Sequence, residues 1–300
     1  MSRSEFLLQT VSKVGLGLAG LQLGAMIYGV TKGRFNFEVV HQPIEFDNLP
    51  NGFDGLRIVQ LSDIHVGSFF DNHKEIEIAV EKINSLNPDY ILFTGDMVNN
   101  YAWELDGWEE VFGKLKAKYG KFSILGNHDY ADYVKWDNEI DKQKNLEDLK
   151  QRQANMGFKL LLNESIRLEK GGEFIELLGL ENWGKGGFAK YGDLVKTMKN
   201  TVSDSFKILM SHDPSHWDAH VLEKTDINLA LAGHTHGMQY GVKIGSFQFS
   251  PVQFRYPRWS GIYTEKKQHL YVNRGFGYIG FAGRVGISPE ITLLELRKKV

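Results

Sequence analysis

The sequence predicts an α/β fold behind an N-terminal hydrophobic helix, with either one mixed sheet or two stacked β-sheets flanked by helices. Three observations predict it. Short apolar runs rich in β-branched and aromatic residues recur along the 300-residue chain, and most end in glycine or polar residues. Helical patterns separate several of the early runs. The later runs succeed one another directly, which calls for a mixed sheet or a second one.

The first element is the apolar segment Val14–Val30. It carries no charge, and Gln22 is its one strongly polar side chain; Lys13, Lys32 and Arg34 bracket it. As a helix, these residues span about 25 Å, near the lower limit for a bilayer core of about 30 Å. A membrane anchor, a signal peptide and a buried helix are the competing readings. Its glycines each cost about 1 kcal/mol in a soluble helix, and no A-x-A cleavage site comes after it. The anchor is therefore preferred. The opening SRSEFL resembles a twin-arginine export signal, but Ser4 stands where the second arginine belongs. The flanking charges are too evenly split to choose a side of the membrane. Residues 1–33 are expected to be the anchor, and 34–300 a single domain, since no linker or repeat interrupts it.

Within that domain the strand-like runs begin at Leu56, Tyr90, Phe122, Phe158, Phe174, Phe206, Ile227, Leu270 and Ile291. Between them, residues 72–84 place Ile76, Ile78, Ala79, Val80 and Ile83 near one helical face. Residues 108–118 show a similar pattern. Residues 137–156 are highly charged and read as a solvated surface helix. The net charge of −2 offers no basis for nucleic-acid binding. The absence of cysteine excludes a disulfide scaffold and any thiolate site. Any metal must be held by His, Asp, Glu or Asn.

The residues just past each run carry the chemistry. After LRIVQLS come Asp63 and His65; after YILFTG, Asp96; after FSILG, Asn127, His128 and Asp129. After FKILMS come His212 and Asp213, and after INLALAG, His234 and His236. Taken singly, each such Asp is an ordinary turn or cap residue. Together, five strand ends deliver the N and O donors that suit a borderline divalent metal. Ligands of open α/β sheets bind outside the carboxyl ends of the strands. Two metals a few ångströms apart need a bridging carboxylate and several ligands each. The glycines before these turns allow sharp bends.

The motifs DIH, GDMVN, GNHD, SHDP and GHTH, in this order and spacing, resemble the calcineurin-like metallophosphoesterase family over Leu56 to about Gln239. The resemblance implies two mixed sheets packed together and two divalent metal ions (Mn, Fe or Zn). It implies that Asp63, His65 and His236 bind one metal and that Asp96 bridges both. Asn127, His212 and His234 would complete the second. His128 would be the acid at the scissile phosphate, oriented by Asp129, with a bridging hydroxide as nucleophile. GLENWG, SHDPSHWD and the segment from Asn273 are similar to the membrane-associated bacterial branch. That branch includes UDP-2,3-diacylglucosamine hydrolases of lipid A synthesis and exported envelope phosphoesterases. It implies a phosphodiester or pyrophosphate substrate, lipid-linked, at the bacterial cytoplasmic membrane. A phosphomonoesterase or protein phosphatase is the alternative within the fold, and a non-catalytic metal-bound scaffold is the alternative outside enzymes. Two readings of the loop with Phe276, Tyr278, Ile279 and Phe281 compete: facing lipid, or packing over the sheet edge. Arg284 is a candidate phosphate clamp, against a structural reading. His216, Trp183 and Tyr130 are candidates for lining the substrate cleft.

Overall fold

In the computed structural model, residues 3–187, 189–245 and 247–299 are described. The chain begins with α1 (Arg3–Thr31), β1 (Glu38–Phe46), β2 (Leu56–Leu61), α2 (His73–Ser85), β3 (Tyr90–Phe93), α3 (Glu109–Gly113), β4 (Gly120–Ser123) and α4 (Glu139–Asn155). It continues with β5 (Phe158–Leu160), β6 (Glu164–Lys170), β7 (Glu173–Gly179), α5 (Leu194–Met198), β8 (Lys207–Met210) and β9 (Leu229–Ala232). The last strands are β10 (Val242–Ile244), β11 (Phe247–Phe249), β12 (Gly261–Glu265), β13 (Gln268–Val272) and β14 (Glu290–Lys298).

Two six-stranded sheets form, in the orders β1-β14-β2-β3-β4-β5 and β12-β13-β9-β8-β7-β6. This settles the choice left by the sequence in favour of two sheets. Both are mixed: β2 to β5 run parallel while β14 is antiparallel to β2, and β7, β8, β9 and β13 run parallel between antiparallel edges. The central strands β3, β8 and β9 are buried at every position. That explains their unbroken apolar runs, because a strand covered on both faces has no polar side.

Three apolar layers result. Ile58, Leu92, Ile124, Leu177, Ile208, Leu231 and Leu294 fill the space between the sheets. Val59, Ile91 and Phe93 point the other way, against Ile76, Val80 and Ile83 of α2 and Leu149 of α4. Leu178, Leu209 and Ala230 back the second sheet and meet Trp217 and Val221.

Two expectations change. The pattern over 108–118 yields only the short α3, because the chain must extend past Gly113 to enter β4; the Lys118 and Tyr119 amides already bond Pro88 and Asp89. The loop after β13 does not face lipid with its aromatic residues. Phe276 and Tyr278 are fully buried among Phe37, Phe69 and Phe112, with Ile279 and Phe281 half-buried. The loop runs under the turn after β2, where the Phe276 and Gly277 amides donate to Ser62 and Asp63.

α1 extends well beyond the apolar run. Its stretch Gln9–Thr31 is long and apolar enough to cross a membrane by length and composition, and almost all of it is exposed.

Candidate metal centre

All the polar clusters read from the sequence meet at one edge of the sandwich. β2, β3 and β4 deliver Asp63, His65, Asp96 and Asn127 from the first sheet, and β8 and β9 deliver His212, His234 and His236 from the second. Asp63, His65 and His236 form one group whose donor atoms lie within 4.8 Å of one another; Asp96, His212 and His234 form another. In the first, His236 Nε2 is 3.2 Å from Asp63 Oδ1 and 3.1 Å from His65 Nε2. In the second, His212 Nε2 is 3.1 Å from Asp96 Oδ2 and 3.3 Å from His234 Nδ1. Asn127 Oδ1 joins it at 2.9 Å from His234 Nδ1. Asp96 Oδ2 also lies 3.6 Å from His65 Nε2, so one carboxylate oxygen stands between the groups. The two histidines of GHTH serve different groups.

The backbone is bent hard to achieve this. Asp63, His65, Asp96, His234 and His236 all adopt left-handed φ, between 48° and 70°. Each such residue costs about 1–2 kcal/mol without glycine, and strain of this kind concentrates at functional sites. Gly233 has another role: a Cβ there would overlap the Ser62 hydroxyl and the Asp63 carboxylate. It lets the turns from the two sheets close on each other.

Buried partners orient the donors. His212 Nδ1 donates to the Thr94 carbonyl at 2.7 Å, leaving Nε2 for the site. His234 presents Nδ1 inward while its Nε2 lies 2.8 Å from the Tyr256 hydroxyl and 3.6 Å from Asp213. Such partners fix the ring and its tautomer. Burial drives His65 down to about 3, so its ring is neutral and can donate a lone pair. Burial opposes charge on His212 as well, yet the adjacent Asp96 holds it up at about 10. Burial likewise works against an ionised Asp63, but His236 beside it keeps the carboxyl well below its usual range. A divalent cation competes for the place of those protons.

His128 stands at the rim, its ring 4.9 Å from that of His65 and 4.5 Å from that of Tyr133. Its Nδ1 faces the Asn99 carbonyl at 2.8 Å. That corrects the expected pairing with Asp129. The Asp129 carboxylate is fully buried and accepts from the amides of Gly126, Asp96, Met97 and Val98. It ties the Asp96 turn to the Asn127 turn, because four converging amides need an acceptor more than the rim histidine does.

Arg284 is no phosphate clamp. It is buried and spends its donors on the carbonyls of Arg274, Gly275, Gly277 and His236. Trp183 lines a groove of about 560 Å³ beside Tyr256, with Lys185, Arg255 and Arg258. His216 and Tyr130 do not line it; both are buried, and the Tyr130 hydroxyl donates to Glu181. A larger groove of about 860 Å³ lies at the opposite ends of β8, β9 and β13, away from the donors. Sequence reasoning missed Tyr256, Tyr133 and Asn99. Tyr256 lies in RYPRW, and no strand end or motif marks it.

The donors fit two divalent cations. Two buried carboxylates and four ring nitrogens converge with few other partners, and such charge is stable in a protein only when paired or bound to metal. The ligand types are all N and O.

Comparison with known proteins points to the same family as the motifs. The family model for Calcineurin-like phosphoesterase matches residues 56–238, more than half of the chain. The uncharacterized metallophosphoesterase YkuE of Bacillus subtilis (strain 168) is 31% identical over 99% of this chain and 98% of its own length. A transmembrane protein with metallophosphoesterase domain from Danio rerio is 29% identical over 91% of this chain, which spans 60% of that relative. An uncharacterized metallophosphoesterase from Campylobacter jejuni is 30% identical over 84% of this chain and 62% of its own length. With its donors gathered into two groups at the strand ends that the family pattern covers, the chain belongs to the calcineurin-like phosphoesterases, metal-dependent phosphoester hydrolases that use two divalent metals.

Proposed function

We propose that this chain is a membrane-anchored phosphoesterase that cleaves a phosphodiester or pyrophosphate bond. Residues 1–33 form the anchor and residues 34–300 the catalytic domain. The position of Asp96 Oδ2 between the two donor groups carries the two-metal part of this reading. The exposed apolar stretch of α1 supports a substrate met at a membrane; the lipid-linked, UDP-diacylglucosamine-like class rests on the resemblance carried by GLENWG, SHDPSHWD and the segment from Asn273.

Asp63, His65 and His236 would hold one metal, and Asn127, His212 and His234 the other, with Asp96 shared. When bound, the pair supplies an activated water near neutral pH and positive charge for the phosphoryl oxygens. The chain does the rest. His128, held through Nδ1 by Asn99, keeps Nε2 for the substrate. Because Nδ1–H donates to the Asn99 carbonyl, the ring can give a proton from Nε2 only as the imidazolium; in that form it would protonate the leaving oxygen as the phosphorus–oxygen bond breaks and return to the neutral ring, while the oxygen of the water, its own proton lost to solvent, takes the leaving group's place on phosphorus. Asp129 keeps Asp96 and Asn127 in register.

The test strips the full chain of metal, reloads it with Mn²⁺ and compares bis-p-nitrophenyl phosphate with p-nitrophenyl phosphate. We expect a metal-dependent preference for the diester. Asp96→Asn should lower turnover by more than about 100-fold, the upper end of the loss from an outer partner of a metal ligand. A monoester preference would move the assignment to a phosphatase. Wild-type activity in Asp96→Asn would remove Asp96 from its bridging role.

A further inference from the structure

The hairpin of β10 and β11 is built inside out. Its pairing sets Val242 opposite Phe249 and Ile244 opposite Phe247, and opposed residues share a face. All four side chains on that face are exposed, Ile244 by 72% and Phe247 by 61%. The intervening pair, Lys243 and Gln248, turns inward. Lys243 pairs with Glu38, and Gln248 accepts from the Ser260 hydroxyl. A hairpin with one face in water shows the reverse pattern, polar outward and apolar inward. Phe254, 82% exposed, extends the same apolar patch.

The hairpin is fixed beside α1. The Gln22 amide donates to the Tyr240 hydroxyl at 2.9 Å, immediately before β10. The Arg284 amide donates to the Gly29 carbonyl, and Gly33 lies so close to the Arg284 carbonyl that a Cβ would overlap it. Gln22 lies nine residues before Thr31, or about 13 Å up the helix axis. If α1 crosses a bilayer, Tyr240 is held at the depth of the acyl chains, and β10 leads from there toward the surface, where Lys243 meets Glu38. Lys32 and Arg34 come directly after the apolar stretch, where anionic headgroups attract basic side chains.

We propose that the apolar face of the β10–β11 hairpin inserts into the lipid bilayer beside α1 as a second membrane contact. This rests on the reading of α1 as an anchor. The hairpin starts six residues after His236, so the metal centre stands within about 20 Å of the membrane surface. The anchor alone would tether the domain; the hairpin also orients its mouth toward the lipid headgroups.

The chain has no cysteine, so single-cysteine variants of the full chain can be labelled cleanly. Ile244→Cys, Leu16→Cys on α1 and Val195→Cys on α5 would each carry an environment-sensitive fluorophore. Each is reconstituted in phosphatidylcholine–phosphatidylglycerol vesicles containing lipids with nitroxide on the acyl chain. We expect the Ile244 label to lose fluorescence to the same extent as the Leu16 label, with the Val195 label unquenched. Quenching at Leu16 with Ile244 behaving like Val195 would overturn the hairpin contact and leave the anchor standing. A blue-shifted but unquenched Ile244 label would mean that protein, such as a second copy, covers the patch, and would also overturn it. No quenching at Leu16 would remove the anchor and the hairpin proposal together.

Discussion

At the residue scale, the site depends on side chains that sit behind the metal-binding groups. Asp129 is the clearest case. Its carboxylate gathers the amides of Gly126, Asp96, Met97 and Val98. Burial, together with the nearby Asp96, raises it to about 7, so the amides are holding a carboxyl that burial disfavours. Asp129→Ala strands several buried donors, at about 1–3 kcal/mol for each one left unsatisfied. We expect it to destabilise the fold by about 3 kcal/mol or more and to lower metal content and turnover together; Asp129→Asn should restore part of both. Thermal unfolding and metal analysis on the same samples check this. Full metal content with lost turnover would instead return Asp129 to orienting His128. The seven residues that meet at the sheet edge are legible in the sequence because each comes within a few residues of a strand run. The job of Asp129 was not, because its neighbour in sequence is not its partner in space. Tyr256 was illegible for the same reason: it reaches His234 from a loop with no pattern of its own.

At the scale of elements, legibility tracked burial. The interior strands β2, β3, β8 and β9 read directly as apolar runs. β1, β6 and β12 did not, and each is the edge of a sheet. β1 contains Pro43, tolerated at an edge, and in β6 (ESIRLEK) Leu168 is the one buried side chain. These edge strands bury little apolar surface and leave little trace, whereas β5, also an edge, reads directly because Phe158 packs into the core against Phe93. The charged α4 was legible as a surface helix, and its few inward contacts obey the same logic. Leu149 is fully buried there while Ile140 is 66% exposed. Leu149→Ala should cost about 2–5 kcal/mol, whereas Ile140→Ala should stay within about 0.5 kcal/mol. Chemical denaturation of both variants measures the difference. Equal effects would mean that α4 is not anchored through Leu149.

At the scale of the whole molecule, each donor group draws on both sheets: Asp63 and His65 face His236, and Asp96 faces His212 and His234. A metal held by either group would therefore clamp the sandwich, and a ligand that binds the folded state alone stabilises it by about 2.7 kcal/mol at a hundredfold excess over the dissociation constant. Chelation should lower the unfolding temperature, and Mn²⁺ should restore it in the wild type but not in Asp96→Asn. Acid should weaken the fold by a separate route on the far face of the second sheet. His216 packs against Trp183 and His220, and burial, with His220 adding to it, holds its ring down at about 3. An unfolded histidine takes up its proton near pH 6.5. Between pH 6.5 and 3 the unfolded chain therefore binds a proton that the folded one refuses. Stability present above pH 6.5 is lost as pH falls through that window, at up to about 1.4 kcal/mol per pH unit for this group. Metal release also destabilises the protein in acid, so the informative quantity is a difference between variants. With metal removed from both, His216→Phe should lose less stability than the wild type between pH 7 and pH 5. An identical loss in denaturant titrations at the two pH values would show that His216 is not the group that acid must charge.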